Sequence, residues 1–133
     1  MGIMPSSVVV VILSLLGEGK TFSSDKNFLY EKFFDLSKTF PSLFQDFIFD
    51  ESKIYPKCEI IDFAIDKITG FGMVEWKNHG DDYTILPAMI KRGKELMAVF
   101  SAAERSQLSD AAEKFAEMIA KKCECGNAQL PLK

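Results

Sequence analysis

Residues Tyr55 to Pro87 read YPKCEIIDFAIDKITGFGMVEWKNHGDDYTILP, and this stretch decides the fold. Pro56 suits the first position of a helix, where its missing N–H costs nothing. Cys58, Ile61, Ile65 and Ile68 follow at spacings of three, four and three. That period puts them on one buried helical face. Gly70 stands where such a helix stops. "GMVEW" and "DYTIL" then read as two short strands, with Met73, Val74, Trp76, Tyr83 and Ile85 as their strand-favouring or apolar residues. "KNHGD" between them is a loop of turn-formers, and Gly80 can take a positive φ. The expectation is a helix, a glycine, and a two-stranded hairpin from about Gly72 to Leu86.

Working upstream, "FIFDESKIY" alternates better than it spirals and predicts an extended arm, and "PSLFQDF" predicts a short helix. "SDKNFLYEKFFDLSKTF" predicts a long one, with Ser24 as N-cap and Asp25 in its first turn. Its Leu29, Phe33, Leu36 and Phe40 form an apolar stripe, and Pro41 ends it. Eight of the twelve phenylalanines lie between Phe22 and Phe49, which marks this region as core.

"VVVVILSLLGEGKTF", Val8 to Phe22, ends like a phosphate-binding loop. The full motif needs a glycine five residues before Gly19, so that consecutive backbone N–H groups wrap the phosphates. Ser14 stands there, and Leu15, Leu16 and Glu18 make a poor phosphate cradle. The stretch instead predicts a buried helix from Ser6 to Leu16, capped by Ser6 or Ser7 and stopped by Gly17 and Gly19. Its apolar run is about half the length that spans a bilayer. No Lys or Arg precedes it, so the charged start of an export signal is missing. The expectation is a cytoplasmic protein without a membrane partner.

Downstream, Pro87 opens a helix reaching about Phe100. Ser101-Ala-Ala-Glu104 is a capping box for the last helix, about 102–122. Leu108, Ala112, Phe115 and Ile119 are the apolar stripe of that helix, Ser109-Asp110 is a candidate break in it, and 123–133 reads as a flexible tail. The 133 residues are 47% hydrophobic and 26% charged, the make-up of one globular domain, 1–133. Three cysteines form no disulfide framework and suit a reducing compartment. The net charge of −3 is uneven. Residues 22–86 hold seven Lys and twelve Asp or Glu, whereas 87–133 hold eight Lys or Arg and six acids.

The order of elements from about Ser6 to Phe100 resembles the winged-helix superfamily. "IIDFAIDKITGFGMVEW…DDYTIL…KRGKEL" is similar to its pattern of a helix ending at glycine, a strand, a wing, a second strand and a final glycine-containing helix. The Phe-rich second helix and the arm before Tyr55-Pro56 look like uncharacterised prokaryotic winged helices, including the Panacea type found as antitoxins. "ERSQLSDAAEKFAEMI" resembles the dimerising tail of multiple-antibiotic-resistance-type regulators. Ile54-Tyr55-Pro56 departs from the Gly-Pro often found before the recognition helix of the antitoxin-like group.

The fold class expected is mainly α (α+β): a winged helix-turn-helix with a two-stranded wing and two C-terminal helices. The resemblance implies a DNA-binding transcriptional regulator, with Lys57, Lys67, Lys77, Asn78 and His79 nearest the duplex. The outward face of the predicted recognition helix also carries Glu59, Asp62 and Asp66, which phosphates repel. The other expectation is therefore a protein-interaction winged helix, adaptor or antitoxin-like, whose acidic face binds a basic protein. A homodimer is expected through Leu96, Phe100, Leu108, Phe115 and Ile119. The one histidine has no nucleophile in a recognisable arrangement beside it, and Cys123-x-Cys125 offers two ligands where structural zinc needs four. No catalytic residue, cofactor or metal site is expected.

Overall fold

The structure, a computed structural model, describes residues 4–52, 54–77 and 79–129, with side chains as far as residue 120. It is mainly helical with one small antiparallel sheet, an α+β arrangement. The described elements are α1 (Ser6–Ser14), β1 (Thr21–Ser23), α2 (Lys26–Thr39), α3 (Glu59–Gly70), β2 (Val74–Lys77), β3 (Asp82–Ile85), α4 (Pro87–Met97) and α5 (Ala102–Gln129). No helix among the described residues is long and apolar enough to cross a membrane.

α1 is the axis of the domain. All nine of its residues are buried, as expected of a helix that is apolar around its whole circumference. It packs against α3, α4 and α5. Neither Ser6 nor Ser7 caps it: the N-cap is Pro5, with no side-chain bond. Ser7 and Val8 instead donate backbone N–H to Met4 and Pro5 carbonyls at 2.9 and 3.1 Å.

After α1 the chain turns through Gly17 (φ 112°) and Gly19 (φ 82°), left-handed conformations that glycine adopts without a Cβ penalty. It then enters a strand that three residues are too few to announce by periodicity. In β1, Thr21 pairs with Thr84, Phe22 with Tyr83 and Ser23 with Asp82. The Gly19 N–H donates to the Ile85 carbonyl at 2.8 Å and the Lys20 N–H to Gly17 at 3.2 Å. Two of the consecutive amides that a phosphate loop would turn toward a ligand are thus engaged, and no helix follows directly.

β3 is the middle strand, in the order β1-β3-β2. The β2–β3 hairpin matches expectation closely: Val74 faces Ile85 and Lys77 faces Asp82. At its tip His79 has φ 59° and Gly80 φ 88°.

α2 begins one residue later than predicted. Ser24 is drawn into the sheet, its N–H donating to Asp81 at 3.0 Å. Asp25 is therefore the cap, accepting from the Asn27 N–H at 2.9 Å. Leu29, Phe33 and Leu36 are buried as their spacing requires. "PSLFQDF" forms consecutive turns instead of a helix, with Leu43 N–H on Phe40 O and Phe47 N–H on Phe44 O. Its aromatic rings are committed to the core: Phe44 lies 6.2 Å from Phe33 and 4.8 Å from Phe47, centroid to centroid. The expected arm folds back on itself, since Asp50 and Lys57 form an antiparallel bridge. Pro56 lies in that bridge region, and α3 starts only after its N-cap, Cys58.

α4 carries Pro87 at its start. The capping box of α5 forms both its bonds: Ser101 N–H to Glu104 Oε1 at 2.9 Å, and Glu104 N–H to Ser101 Oγ at 3.1 Å. Ser109-Asp110 does not break α5, because Leu108, Ala111, Ala112 and Phe115 on either side of it are buried against one continuous core. The backbone of α5 continues to Gln129, through most of the segment read as a tail.

The expected dimer stripe requires correction. Phe100, Leu108 and Phe115 are buried within the single chain, and Leu96 and Ile119 are half-buried against the same core. The Phe115 ring lies 5.1 Å from Phe33 of α2. α5 spends Leu108 and Phe115 on α1 and α2, so these two and Phe100 have no surface left for a second copy, while Leu96 and Ile119 keep part of theirs.

Candidate functional site

α3 and the hairpin form the face on which the sequence placed its candidate residues. With Cys58, Ile61, Ile65 and Ile68 buried, the helical period turns Glu59, Phe63, Asp66 and Gly70 outward, and all four are exposed. Lys67 is half-buried in the last turn, its Nζ 5.3 Å from the Phe63 ring centroid. Such a cation–π contact at an exposed ring contributes about 0.5–1 kcal/mol.

Asp62 is held by α2. It accepts a short hydrogen bond from the Tyr30 hydroxyl, and Lys26 Nζ lies 3.9 Å from it and 4.0 Å from Asp66. Burial, then the bond to Asp62 and its charge, push the Tyr30 phenol far above its ordinary value. Burial, then the Asp66 charge, raise Tyr83 in the same direction, and burial raises the Cys58 thiol. All three groups are therefore held neutral behind a face whose outward charge is carried by carboxylates.

The candidate cations do not form a patch. Lys57 lies before α3 and Lys67 at its far end, ten residues on, or roughly 15 Å of helical rise. Asp46, Asp50 and Glu59 share a depression with Lys57. Lys77 ends β2 opposite Asp82. His79 is exposed at the hairpin tip, and Asn78 lies outside the described residues. On α3 itself the acids Glu59, Asp62 and Asp66 stand against Lys67, with Lys26 of α2 reaching two of them.

Three aromatic residues outside the candidate set read from sequence are exposed. Phe63 is 47%, Phe71 71% and Trp76 62% exposed. Phe63 lies four residues after Glu59, so the period that turned Glu59 outward also turned Phe63 outward. The Trp76 ring covers Tyr83, 4.7 Å between centroids, and approaches Gly80, where a Cβ would meet it at 3.5 Å.

Among the described residues no cluster of His, Cys, Asp or Glu has the grouping of a metal site. The side chains of Cys123 and Cys125 lie outside the described residues. No protein-family model, curated protein or solved structure matches the chain.

Proposed function

We propose that this chain is a winged-helix module that binds a basic protein partner, as an adaptor or antitoxin-like protein would, through the acidic face of α3 and its hairpin. The winged-helix part is supported by the succession of α2, α3 and the β2–β3 hairpin, with β1 holding β3 as the middle strand.

The observation that carries the partner's character is the outward stripe of α3: Glu59, Phe63, Asp66. A helix entering a DNA groove needs cations toward the phosphates, and a central exposed phenylalanine serves no phosphate. Aromatic side chains within a polar rim are instead what protein interfaces are built on. The carboxylates would steer a basic partner, and Phe63, Phe71 and Trp76 would supply the apolar area.

Duplex DNA is the second reading, favoured by the order of elements alone, which is a fold analogy. One pair of titrations separates the two. Fluorescence anisotropy follows a labelled random duplex and a labelled lysine-rich polypeptide between 50 and 200 mM salt. The protein reading expects no duplex binding, and polypeptide binding that Glu59→Lys/Asp66→Lys abolishes while Glu113→Lys/Glu117→Lys on α5 does not. Duplex binding with a log–log salt slope of several contacts, at about −0.9 per phosphate, overturns it.

A further inference from the structure

A large cleft among the described residues lies away from the α3 stripe. It measures 830 Å³ and is bounded by β1, the start of α2, the hairpin tip and α5. Its apolar wall is Leu16, Phe22, Phe28 and Ile119, and its charges are Asp25, Asp81 and Asp82 against Lys20. Clefts of roughly 300–1,000 Å³ are the usual size of ligand-binding sites.

β1 is one of the two edge strands of the sheet. The Lys20 carbonyl accepts from Ile85 N–H at 2.9 Å, and the Ser24 N–H donates to Asp81 O at 3.0 Å. In an antiparallel ladder the residues that bond a given neighbour alternate. Phe22 is thus the pairing residue between them, and Thr21 and Ser23 direct N–H and C=O away from β3, along the open edge. No described strand pairs with that edge. An edge of this kind, facing a cleft with a helical wall, is a template for strand addition.

We infer that the cleft takes an extended, basic segment of the partner protein, added as a fourth strand to β1 with α5 as its second wall; this rests on the protein-partner reading above. Two features select the occupant. The outward N–H and C=O groups of Thr21 and Ser23 need a strand, since neither a helix nor a small apolar ligand has a matching backbone edge. Asp25 and Asp81 outnumber Lys20 in the lining even with Asp82 left out, and call for positive charge. An extended chain alternates its side chains, so one row meets the apolar wall and the other the carboxylates.

The experiment uses the full chain and an eight-residue peptide alternating lysine with valine. A second version of this peptide is N-methylated at every other residue, and a third at the intervening ones. Amide exchange and chemical shifts are read by NMR. Binding is expected to slow exchange at Thr21 and Ser23. Methylation in the pairing register should weaken it about tenfold or more through loss of two backbone bonds, while methylation in the other register has less effect. Asp81→Lys weakens it several-fold. Thr21→Pro, which an edge strand tolerates, abolishes it, and the methylated peptides carry the same test without altering the protein.

Equal binding in both registers overturns the inference, as do shifts confined to α3. A dimer by light scattering that Thr21→Pro dissolves also overturns it, because a second copy would then be the occupant. So does peptide binding that appears only after removal of residues 130–133. Glu59→Lys/Asp66→Lys leaves the exchange protection at β1 intact, so a failure of the α3 reading and a failure here are distinguishable.

Discussion

Gly93 of α4 packs directly against Ser14 of α1, and Gly93→Ala probes that packing. A Cβ at Gly93 would lie 2.0 Å from Ser14 Oγ and 2.5 Å from Ser14 Cβ. Rotating Ser14 moves the hydroxyl away, at the expense of its 2.8 Å bond to the Val11 carbonyl. Rotation does nothing for Ser14 Cβ, which is fixed to the backbone. Carbon atoms pack at about 3.5–4.0 Å, so the two helices must separate by roughly 1 Å. Overpacking of this kind costs about 1–3 kcal/mol, and the displaced hydroxyl about 1 kcal/mol more. Against this, alanine in the interior of α4 favours helix by about 1 kcal/mol over glycine. The expected net loss is about 2 kcal/mol. Urea unfolding followed by circular dichroism should show it as a midpoint about 1 M lower, at a slope near 2 kcal/mol/M. Ser14→Gly/Gly93→Ala exchanges the small residue between helices and should recover much of the loss, giving a coupling of at least about 1 kcal/mol. If Gly93→Ala is as stable as the parent, or gains the alanine propensity, the α1–α4 approach described here is wrong.

Because the folded chain holds the Tyr30 phenol above its ordinary value, its contribution is complete below pH about 10 and is lost as pH climbs through the folded value. Tyr83 acts in the same direction. Denaturation midpoints should thus fall on the alkaline side, and Tyr30→Phe should flatten that fall while lowering neutral-pH stability by about 1 kcal/mol through the lost bond to Asp62; an unchanged alkaline slope would contradict the assignment. Thr84 Oγ1 is buried with no hydrogen-bond partner among the described residues, so Thr84→Val should raise stability by about 1 kcal/mol, and a measured loss would mean that the hydroxyl has a partner. Ser101→Ala removes one half of the α5 capping box and should cost about 1 kcal/mol, which thermal melts can resolve.

Much of the candidate face was legible. Cys58, Ile61, Ile65 and Ile68 were assigned inward from spacing alone and are buried, which places Glu59 and Asp66 outward. Phe63 followed from the same count but was overlooked, since a phenylalanine is read as core by default. The separation of the lysines was partly visible as well: Lys57 and Lys67 are ten residues apart in sequence. That Lys26 of α2 reaches Asp62 and Asp66 was not visible, because it depends on how two helices cross.

By itself the sequence determined what local chemistry controls. Apolar periods define α2 and α3, Pro87 opens α4, Ser101 and Glu104 cap α5, and turn residues between two apolar runs make the hairpin. Each signal lies within a few residues of the structure it produces. Tertiary structure decided what depends on distant partners. β1 exists because Thr21 finds Thr84 across the sheet, and Ser24 loses its place as helix cap to the same ladder. The α5 stripe is the plainest case: Leu108 and Phe115 are as apolar in a dimer interface as in a core. Only the position of α1 and α2 beneath α5 settles which they serve, since apolar surface is buried by whatever neighbour the fold brings against it, and the hydrophobic effect carries no direction of its own.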